Sequence, residues 1–121
     1  MNVLVIDDEE LLLDIWLRLF KSLSCNTFLA SDGLEGVKAL KQESIDLVLI
    51  DIKMPNADGF HVLNYLKGEH LEVITAIVCS GYIDNEESSL APYQVARVIK
   101  KPFSFSDELL YFQNFMSNRK A

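Results

Sequence analysis

Cysteine, glycine and proline are scarce in this chain of 121 residues, which contains two, five and three of them respectively. Two cysteines are too few for a disulfide framework, and Cys25 and Cys79 do not have the spacing of a metal site. A disulfide-stabilised mini-protein is therefore excluded, and we predict that both cysteines are reduced thiols in the core. The apolar share of 50% argues against intrinsic disorder, and the length supports one domain.

Basic residues are also few, since 11 Lys and Arg stand against 18 Asp and Glu, for a net charge of −7. Nucleic acids and anionic membranes attract Lys and Arg, so this balance argues against either as a partner. The longest apolar run, residues 73–79, is interrupted by Thr75 and falls far short of the roughly 18 residues of a membrane span. The first residues have no signal-peptide pattern. We expect a cytoplasmic protein.

Short apolar runs alternate with helical patterns along the chain. The runs predict five strands, at residues 3–6, 26–30, 47–50, 73–79 and 95–99. Apolar residues at helical spacing predict five helices, at residues 9–23, 32–42, 58–67, 84–90 and 104 to about 118. Asp58 is placed to cap the third helix, and Ser104 with Asp107 resembles a capping box. The predicted fold class is α/β: a (βα)5 doubly wound, five-stranded parallel sheet.

Three acidic residues follow two of the predicted strands. Asp7 and Asp8 come directly after the first strand, and Asp51 directly after the third. If these strands are neighbours, the three carboxylates converge at the carboxyl edge of the sheet, where such folds bind ligands. Each close pair would cost about 4 kcal/mol at an effective dielectric constant near 20. Either a proton is retained at a raised pKa, or a hard cation such as Mg²⁺ or Mn²⁺ binds.

A hydroxyl and an ammonium group complete this edge. Ser80 ends the fourth strand before Gly81, and Lys101 follows the fifth strand before Pro102. Each is most often a turn residue or a solvated charge when considered alone, but their joint placement at strand ends favours a site. Carboxylates, a hydroxyl, an ammonium and a divalent cation suit a phosphoryl group, which Asp51 could carry as an acyl phosphate.

These residues resemble the receiver domain of two-component response regulators over essentially the whole chain. The motifs that carry the resemblance are, in chain order, residues 3–9 with Asp7 and Asp8, Asp51 with Met54, Pro55, Asp58 and Gly59, Ser80 with Gly81, and Lys100 to Phe103. Each motif is weak alone, but their order and spacing together are specific. The resemblance implies a flavodoxin-like sheet with strand order 2-1-3-4-5, in which the first and third strands are neighbours. It also implies a single receiver domain over residues 1–121, and we expect no output domain in this chain.

The resemblance implies a role for each acidic residue. Asp51 would accept a phosphoryl group from a phosphohistidine on a sensor histidine kinase or a histidine phosphotransfer protein. Mg²⁺ (or Mn²⁺) would be held by Asp8, Asp51 and the backbone carbonyl of Lys53, with Asp7 acting through water. The chain would be a phosphoacceptor signalling module of a phosphorelay. It would not be an enzyme, apart from self-catalysed phosphotransfer and slow autodephosphorylation.

Lys101 and Ser80 would respond to the phosphoryl group. Lys101, aimed by a cis bond to Pro102, would pair with the carboxylate of Asp51 and then with the phosphoryl oxygens. Ser80 would move to hydrogen-bond a phosphoryl oxygen and so switch a protein-interaction surface. The downstream partner would be a protein target or an output domain absent from this chain.

The chain departs from the family pattern on the fifth strand and just before it. Val98 stands where the family usually has an aromatic residue whose rotation couples to the hydroxyl, and a valine cannot make that swing. Tyr82 is either a surface residue or a partial substitute for the aromatic ring that is missing at Val98. The polar segment 84–90, cut off by Pro92, predicts a short or mobile fourth helix.

The last predicted helix is apolar on most of its circumference. Phe105, Leu109, Phe112 and Met116 form one stripe, and Leu110, Tyr111 and Phe115 fall outside it. This pattern predicts either a wide core face with one or two exposed apolar residues or a homodimer or partner surface in the 95–121 region.

Two further functions compete with the phosphoacceptor. A Mg²⁺-dependent phosphohydrolase with an Asp nucleophile would want an acid two residues after Asp51, where this chain has Lys53. A receiver-like domain could also bind its partner without phosphorylation. Val98 favours this alternative, whereas the intact set of Asp8, Asp51, Ser80 and Lys101 argues against it.

Overall fold

The computed structural model describes residues 1–52, 54, 58–71, 73–81 and 89–120. Within these ranges the strands are β1 (Asn2–Ile6), β2 (Asn26–Ala30), β3 (Leu47–Asp51), β4 (Thr75–Ser80) and β5 (Val95–Lys100). The helices are α1 (Glu10–Ser22), α2 (Gly33–Gln42), α3 (Gly59–Gly68) and α4 (Phe105–Lys120). The strands form one parallel sheet in the order β2-β1-β3-β4-β5. The predicted fold class and strand order are confirmed.

Helices cover both faces of the sheet, so the central strands are buried on both sides. One face packs against α2 and α3, through Val37, Leu40, Val62, Leu63 and Leu66. The other packs against α1 and α4, through Trp16, Leu19, Phe20 and Phe112. Cys25 and Cys79 are buried thiols that form no disulfide, as predicted. None of the helices in the described ranges is long and apolar enough to cross a bilayer.

The predicted strand ends need two corrections. Asp51 is the last residue of β3 and pairs in register with Cys79, where we expected it just beyond the strand. β4 begins at Thr75, two residues later than predicted, and Val73 is 80% exposed. The reason is a turn before β4, in which the amide of Ile74 donates to the carbonyl of Leu71 at 3.1 Å. An apolar run alone does not distinguish such a turn from the start of a strand.

Polar side chains begin three of the helices as the sequence indicates. Asp32 accepts a hydrogen bond from the amide of Glu35. Asp58 accepts from the amides of Phe60 and His61, as predicted for a cap. Ser104 Oγ accepts from the amide of Asp107 at 3.3 Å, which is one half of the predicted capping box.

The apolar surface of α4 is largely core. Phe112 is fully buried, and Leu109, Tyr111, Phe115 and Met116 pack partly against the same cluster. Phe105, at the start of the predicted stripe, is 43% exposed. It is the first residue of α4, beyond the carboxyl edge of the sheet, where it lines a groove with Leu12, Ile15 and Phe103. Leu110 is 59% exposed.

The predicted helix at 84–90 lies outside the described residues apart from Ser89 and Leu90, and so does Tyr82.

Candidate phosphoacceptor site

The strand order brings the three predicted acids together at the carboxyl edge of the sheet. Asp7 follows β1, and its amide donates to the carbonyl of Ala30 in β2 at 3.1 Å. Asp51 ends the neighbouring strand β3, and Asp8 lies between β1 and α1. Each of the three offers one carboxylate oxygen, and these oxygens all lie within 4.8 Å of one another. We call Asp7, Asp8 and Asp51 the acid cluster. Asp7 and Asp51 are buried, whereas Asp8 is exposed.

Lys101 reaches across this edge from the turn after β5. Its Nζ lies 3.1 Å from a carboxylate oxygen of Asp7, 3.4 Å from one of Asp51 and 3.6 Å from one of Glu9. The Lys101–Pro102 peptide bond is cis, as the resemblance implied. Lys101 is therefore the cation that offsets part of the repulsion within the acid cluster.

Burial and neighbouring charges raise the pKa values of both Asp7 and Lys101. Burial raises the pKa of Asp7, although the hydrogen bond from the Glu9 amide and the charge of Lys101 act in the opposite direction. Burial acts to lower the pKa of Lys101, but the charges of Asp7 and Asp51 outweigh it, so this pKa is raised. The buried Asp7 carboxylate is thus a source of instability that a further cation would relieve.

The structure places the remaining predicted site residues as follows. Ser80 ends β4 and is buried, one residue beyond the Cys79 that pairs with Asp51. Its backbone carbonyl accepts a hydrogen bond from the amide of Lys101 at 3.0 Å. Lys53, whose carbonyl was expected to bind the metal, lies outside the described residues.

Three residues of the site have roles that the sequence analysis did not assign. Glu9 is a further carboxylate near Lys101, and its amide donates to Asp7 at 2.9 Å. Cys79 lies beside the acid cluster, where burial raises the pKa of its thiol to about 12 and keeps the thiol protonated. Gly59 lets the start of α3 approach β3, since a Cβ there would lie 2.6 Å from the backbone oxygen of Asp51. In the sequence, the Asp58-Gly59 pair was the signal that could have indicated this role of Gly59.

Asp7→Asn is expected to raise the free energy of unfolding at neutral pH in the absence of divalent cations. The pKa of Asp7 is raised in the folded state, so its ionisation costs stability as pH rises through that pKa. Asparagine cannot ionise and so removes this cost. The gain in the free energy of unfolding should disappear at acidic pH, because the wild-type carboxyl is then neutral as well. Urea denaturation in the presence of a chelator, at neutral and at acidic pH, measures the difference.

The matched control for this prediction is Asp14→Asn, because Asp14 is a half-exposed partner of Arg18 on α1. A surface substitution of this kind should change stability by no more than about 0.5 kcal/mol at either pH. A loss of stability on Asp7→Asn at neutral pH would contradict the prediction.

The comparison with protein families gives one match over most of the chain. The family model of the response regulator receiver domain matches residues 3–111. The probable C4-dicarboxylate response regulator DctR of Bacillus subtilis is 36% identical over 107 residues, which are 84% of this chain and 46% of that protein. The chain spans about half the length, or less, of the curated relatives that it matches.

Solved receiver structures share the whole architecture. The receiver domain of a Francisella response regulator superposes with a TM-score of 0.84 at 26% identity, covering 99% of this chain and 98% of that one. A Thermotoga maritima response regulator in complex with Mg²⁺ and BeF has a TM-score of 0.80 at 22% identity, covering 93% of this chain and 96% of that one. The second likeness shows the shared fold.

The family match, the sheet order and the residues at the carboxyl edge of the sheet agree with one another. Of the strand-end residues on which the sequence resemblance rested, the fold brings Asp7, Asp8, Asp51 and Lys101 together. This chain belongs to the response regulator receiver domain family.

Proposed function

We propose that this chain is the phosphoacceptor module of a two-component phosphorelay, with Asp51 as the acceptor. The observation that carries the proposal is the position of Asp51, 6% exposed at the end of a central strand, with Lys101 Nζ at 3.4 Å and two further carboxylates beside it. The donor is a phosphohistidine on a sensor histidine kinase or a histidine phosphotransfer protein. The same proposal places the chain in the cytoplasm, where ATP provides the phosphoryl group that histidine kinases transfer.

The acid cluster has the donor chemistry of a magnesium site. Its three carboxylate oxygens lie within 4.8 Å of one another. Histidine and cysteine are not members of this group. Such a set suits Mg²⁺ or Mn²⁺ better than Zn²⁺. Asp8 and Asp51 would hold the ion directly and Asp7 through water. When bound, the ion would offset the charge of the transferred phosphoryl group.

The protein residues divide the remaining work of the transfer. A carboxylate oxygen of Asp51 forms a bond to phosphorus while the phosphorus–nitrogen bond of the donor breaks, and its electron pair returns to the imidazole nitrogen. Lys101 holds the acceptor carboxylate in place and then pairs with the phosphoryl oxygens. The Ser80 hydroxyl, at the end of the adjacent strand, donates a hydrogen bond to one of those oxygens. The phosphoryl group carries between about 1.5 and 2 negative charges, which replace the single charge of the Asp51 carboxylate and bias the surrounding loops.

Under this proposal the chain is not an enzyme, apart from the reactions of its own Asp51. Its chemistry is self-catalysed phosphotransfer and slow autodephosphorylation. Its output is a change in a protein-interaction surface, read by a protein target or by an output domain.

Phosphorylation by acetyl phosphate tests the proposal directly. Intact-mass measurement should show one added phosphoryl group in the presence of Mg²⁺ and none in the presence of a chelator. The modification should be labile to hydroxylamine, because an acyl phosphate is cleaved by that nucleophile. A chain that stays unlabelled in Mg²⁺ yet binds its partner would instead favour the phosphorylation-independent alternative that Val98 suggested.

A homodimer through the 95–121 region is a separate proposal, supported by the exposed side chains of Leu110 and Phe105 on α4. Size-exclusion chromatography with light scattering should show dimers at high protein concentration, more so with a beryllofluoride mimic. Leu110→Glu should shift the equilibrium toward monomer, whereas Leu34→Glu, at the exposed start of α2, should not. A monomer at every concentration, with and without beryllofluoride, would contradict it.

A further inference from the structure

A partly buried ion pair joins β5 to the first turn of α4, and the turn that carries Lys101 lies between the two partners in the chain. Arg97 donates from Nη1 to Glu108 Oε1 at 2.6 Å and from Nη2 to Glu108 Oε2 at 3.0 Å. The Glu108 side chain is 7% exposed and that of Arg97 28%. The guanidinium carbon of Arg97 lies 3.8 Å from the centroid of the Tyr111 ring, so an aromatic face covers the pair.

A β-bulge turns Arg97 toward this partner. Ala76 and Ile77 of β4 pair with Val95 and Arg97 of β5, so Ala96 is an extra residue. In a regular strand, residues two apart point to the same face. Because of the bulge, Val95 packs against the core on the side of α2 and α3, whereas Arg97 contacts α4 on the other side. Bulges commonly re-aim a side chain in this way.

Stability alone does not account for such a pair. Ion pairs away from water are often no more stabilising than apolar residues of similar volume, because desolvation of a charge is costly, and here it falls mainly on Glu108. The fork of Arg97 on both oxygens of Glu108 does fix a distance and an orientation between β5 and α4. Among the described strands β5 is at the edge of the sheet and has β4 as its one strand neighbour, so the pair adds a second attachment, to the helix.

The segment between the two partners is the part of the site that must be placed most accurately. The Lys101 amide is bonded to the Ser80 carbonyl, and Phe103 stacks on Trp16 with ring centroids 4.5 Å apart. From this turn the Lys101 ammonium reaches the carboxylates of Asp7 and Asp51. A shift of α4 relative to β5 would move both ends of the turn and withdraw the ammonium from the cluster.

We propose that Arg97 and Glu108 are a positioning pair that holds the Lys101 turn against the acid cluster. Neither residue touches the phosphoryl group. The inference rests on the proposed function insofar as the consequence is the rate of Asp51 phosphorylation. The structural part, that the pair fixes the Lys101–Phe103 turn, does not depend on phosphorylation.

The test compares phosphorylation rates by acetyl phosphate in folded variants. Arg97→Met and Glu108→Gln should each slow labelling of Asp51 by about tenfold or more, because small displacements of a reacting geometry are costly. Arg97→Lys keeps the charge but loses the planar fork, so it should also remain slow. Arg18→Met, which removes the exposed partner of Asp14 on α1, is the matched control and should label at the wild-type rate.

The labelling rates of the three variants distinguish a positioning role of the Arg97–Glu108 pair from a role in which Arg97 only neutralises the charge of Glu108. Glu108 is one of the charges that bear on Cys79 beside the acid cluster, so a purely electrostatic role predicts slowing by Arg97→Met alone. In that case Arg97→Lys would recover the wild-type rate and Glu108→Gln would not slow labelling. Either of these two results, or wild-type rates in all three variants, would overturn the proposal.

A second measurement does not require phosphorylation. Nuclear Overhauser effects between the Trp16 and Phe103 rings should weaken in Arg97→Met and stay unchanged in Arg18→Met, which reports the position of the turn. If the wild type is not labelled but these signals respond, the proposed function fails and the positioning role stands. If the wild type is labelled and the signals do not respond, the positioning role fails and the proposed function stands.

Discussion

Asp51→Asn is expected to abolish phosphorylation by acetyl phosphate while leaving the fold intact. The substitution keeps the shape of the side chain but removes the carboxylate oxygen that forms the bond to phosphorus. It also removes one of the two buried charges that Lys101 contacts within the acid cluster. Intact-mass measurement after incubation with acetyl phosphate and Mg²⁺ should show no added phosphoryl group.

The control for this result is Asp14→Asn, which removes a half-exposed carboxylate from α1. This variant should be labelled as fast and as completely as the wild type. Circular dichroism of Asp51→Asn should match the wild type, so that loss of labelling cannot be ascribed to unfolding. Equal labelling of Asp51→Asn and the wild type would remove Asp51 from its central role.

Gly59→Ala is expected to lower both the free energy of unfolding and the rate of labelling. A Cβ at this position would lie 2.6 Å from the backbone oxygen of Asp51 and 2.8 Å from the Cα of Ile52. These are backbone atoms, so no side-chain rotation relieves the clash, and either α3 or the end of β3 must move. Overpacking of this kind costs about 1–3 kcal/mol. Because Asp51 itself is displaced, its labelling should slow as well.

The same helix supplies the control, since a Cβ at Gly68 meets nothing within 4 Å. Gly68→Ala should leave labelling unchanged and should be neutral or stabilising by up to about 1 kcal/mol. Urea denaturation and acetyl phosphate labelling measure both variants. Equal stability and equal labelling rates for the two alanine variants would contradict the packing argument.

The strands and most helix ends were predictable from the sequence because their signals are local. The apolar runs around Val5, Leu49 and Val78 each become a strand buried on both faces. Asp58 caps α3 as its position before an apolar helical pattern indicated. The signals failed where an apolar residue lies just outside an element, as Val73 does before β4, or at its first turn, as Phe105 does in α4.

Contacts between distant residues could not be read from those signals. Glu108 lies four residues before Phe112, on the buried face of α4, and a carboxylate there was a signal that some cation must meet it. The spacing did not show that the cation is Arg97, because this depends on the bulge at Ala96 and on where α4 lies against β5. The close approach of Gly59 to Asp51 likewise depends on how α3 begins over the end of β3.

The sequence by itself determined that Asp7, Asp8, Asp51, Ser80 and Lys101 stand at strand ends, because strand ends follow from the periodicity of nearby residues. Whether those ends meet stayed conditional on which strands are neighbours. The tertiary structure decided this by placing β1 beside β3, and it brought the Lys101 ammonium within 3.6 Å of Asp7, Glu9 and Asp51. The physical reason is that interactions between charges fall off with distance in space. Distances between residues far apart in the chain are set only when the sheet and its helices pack together.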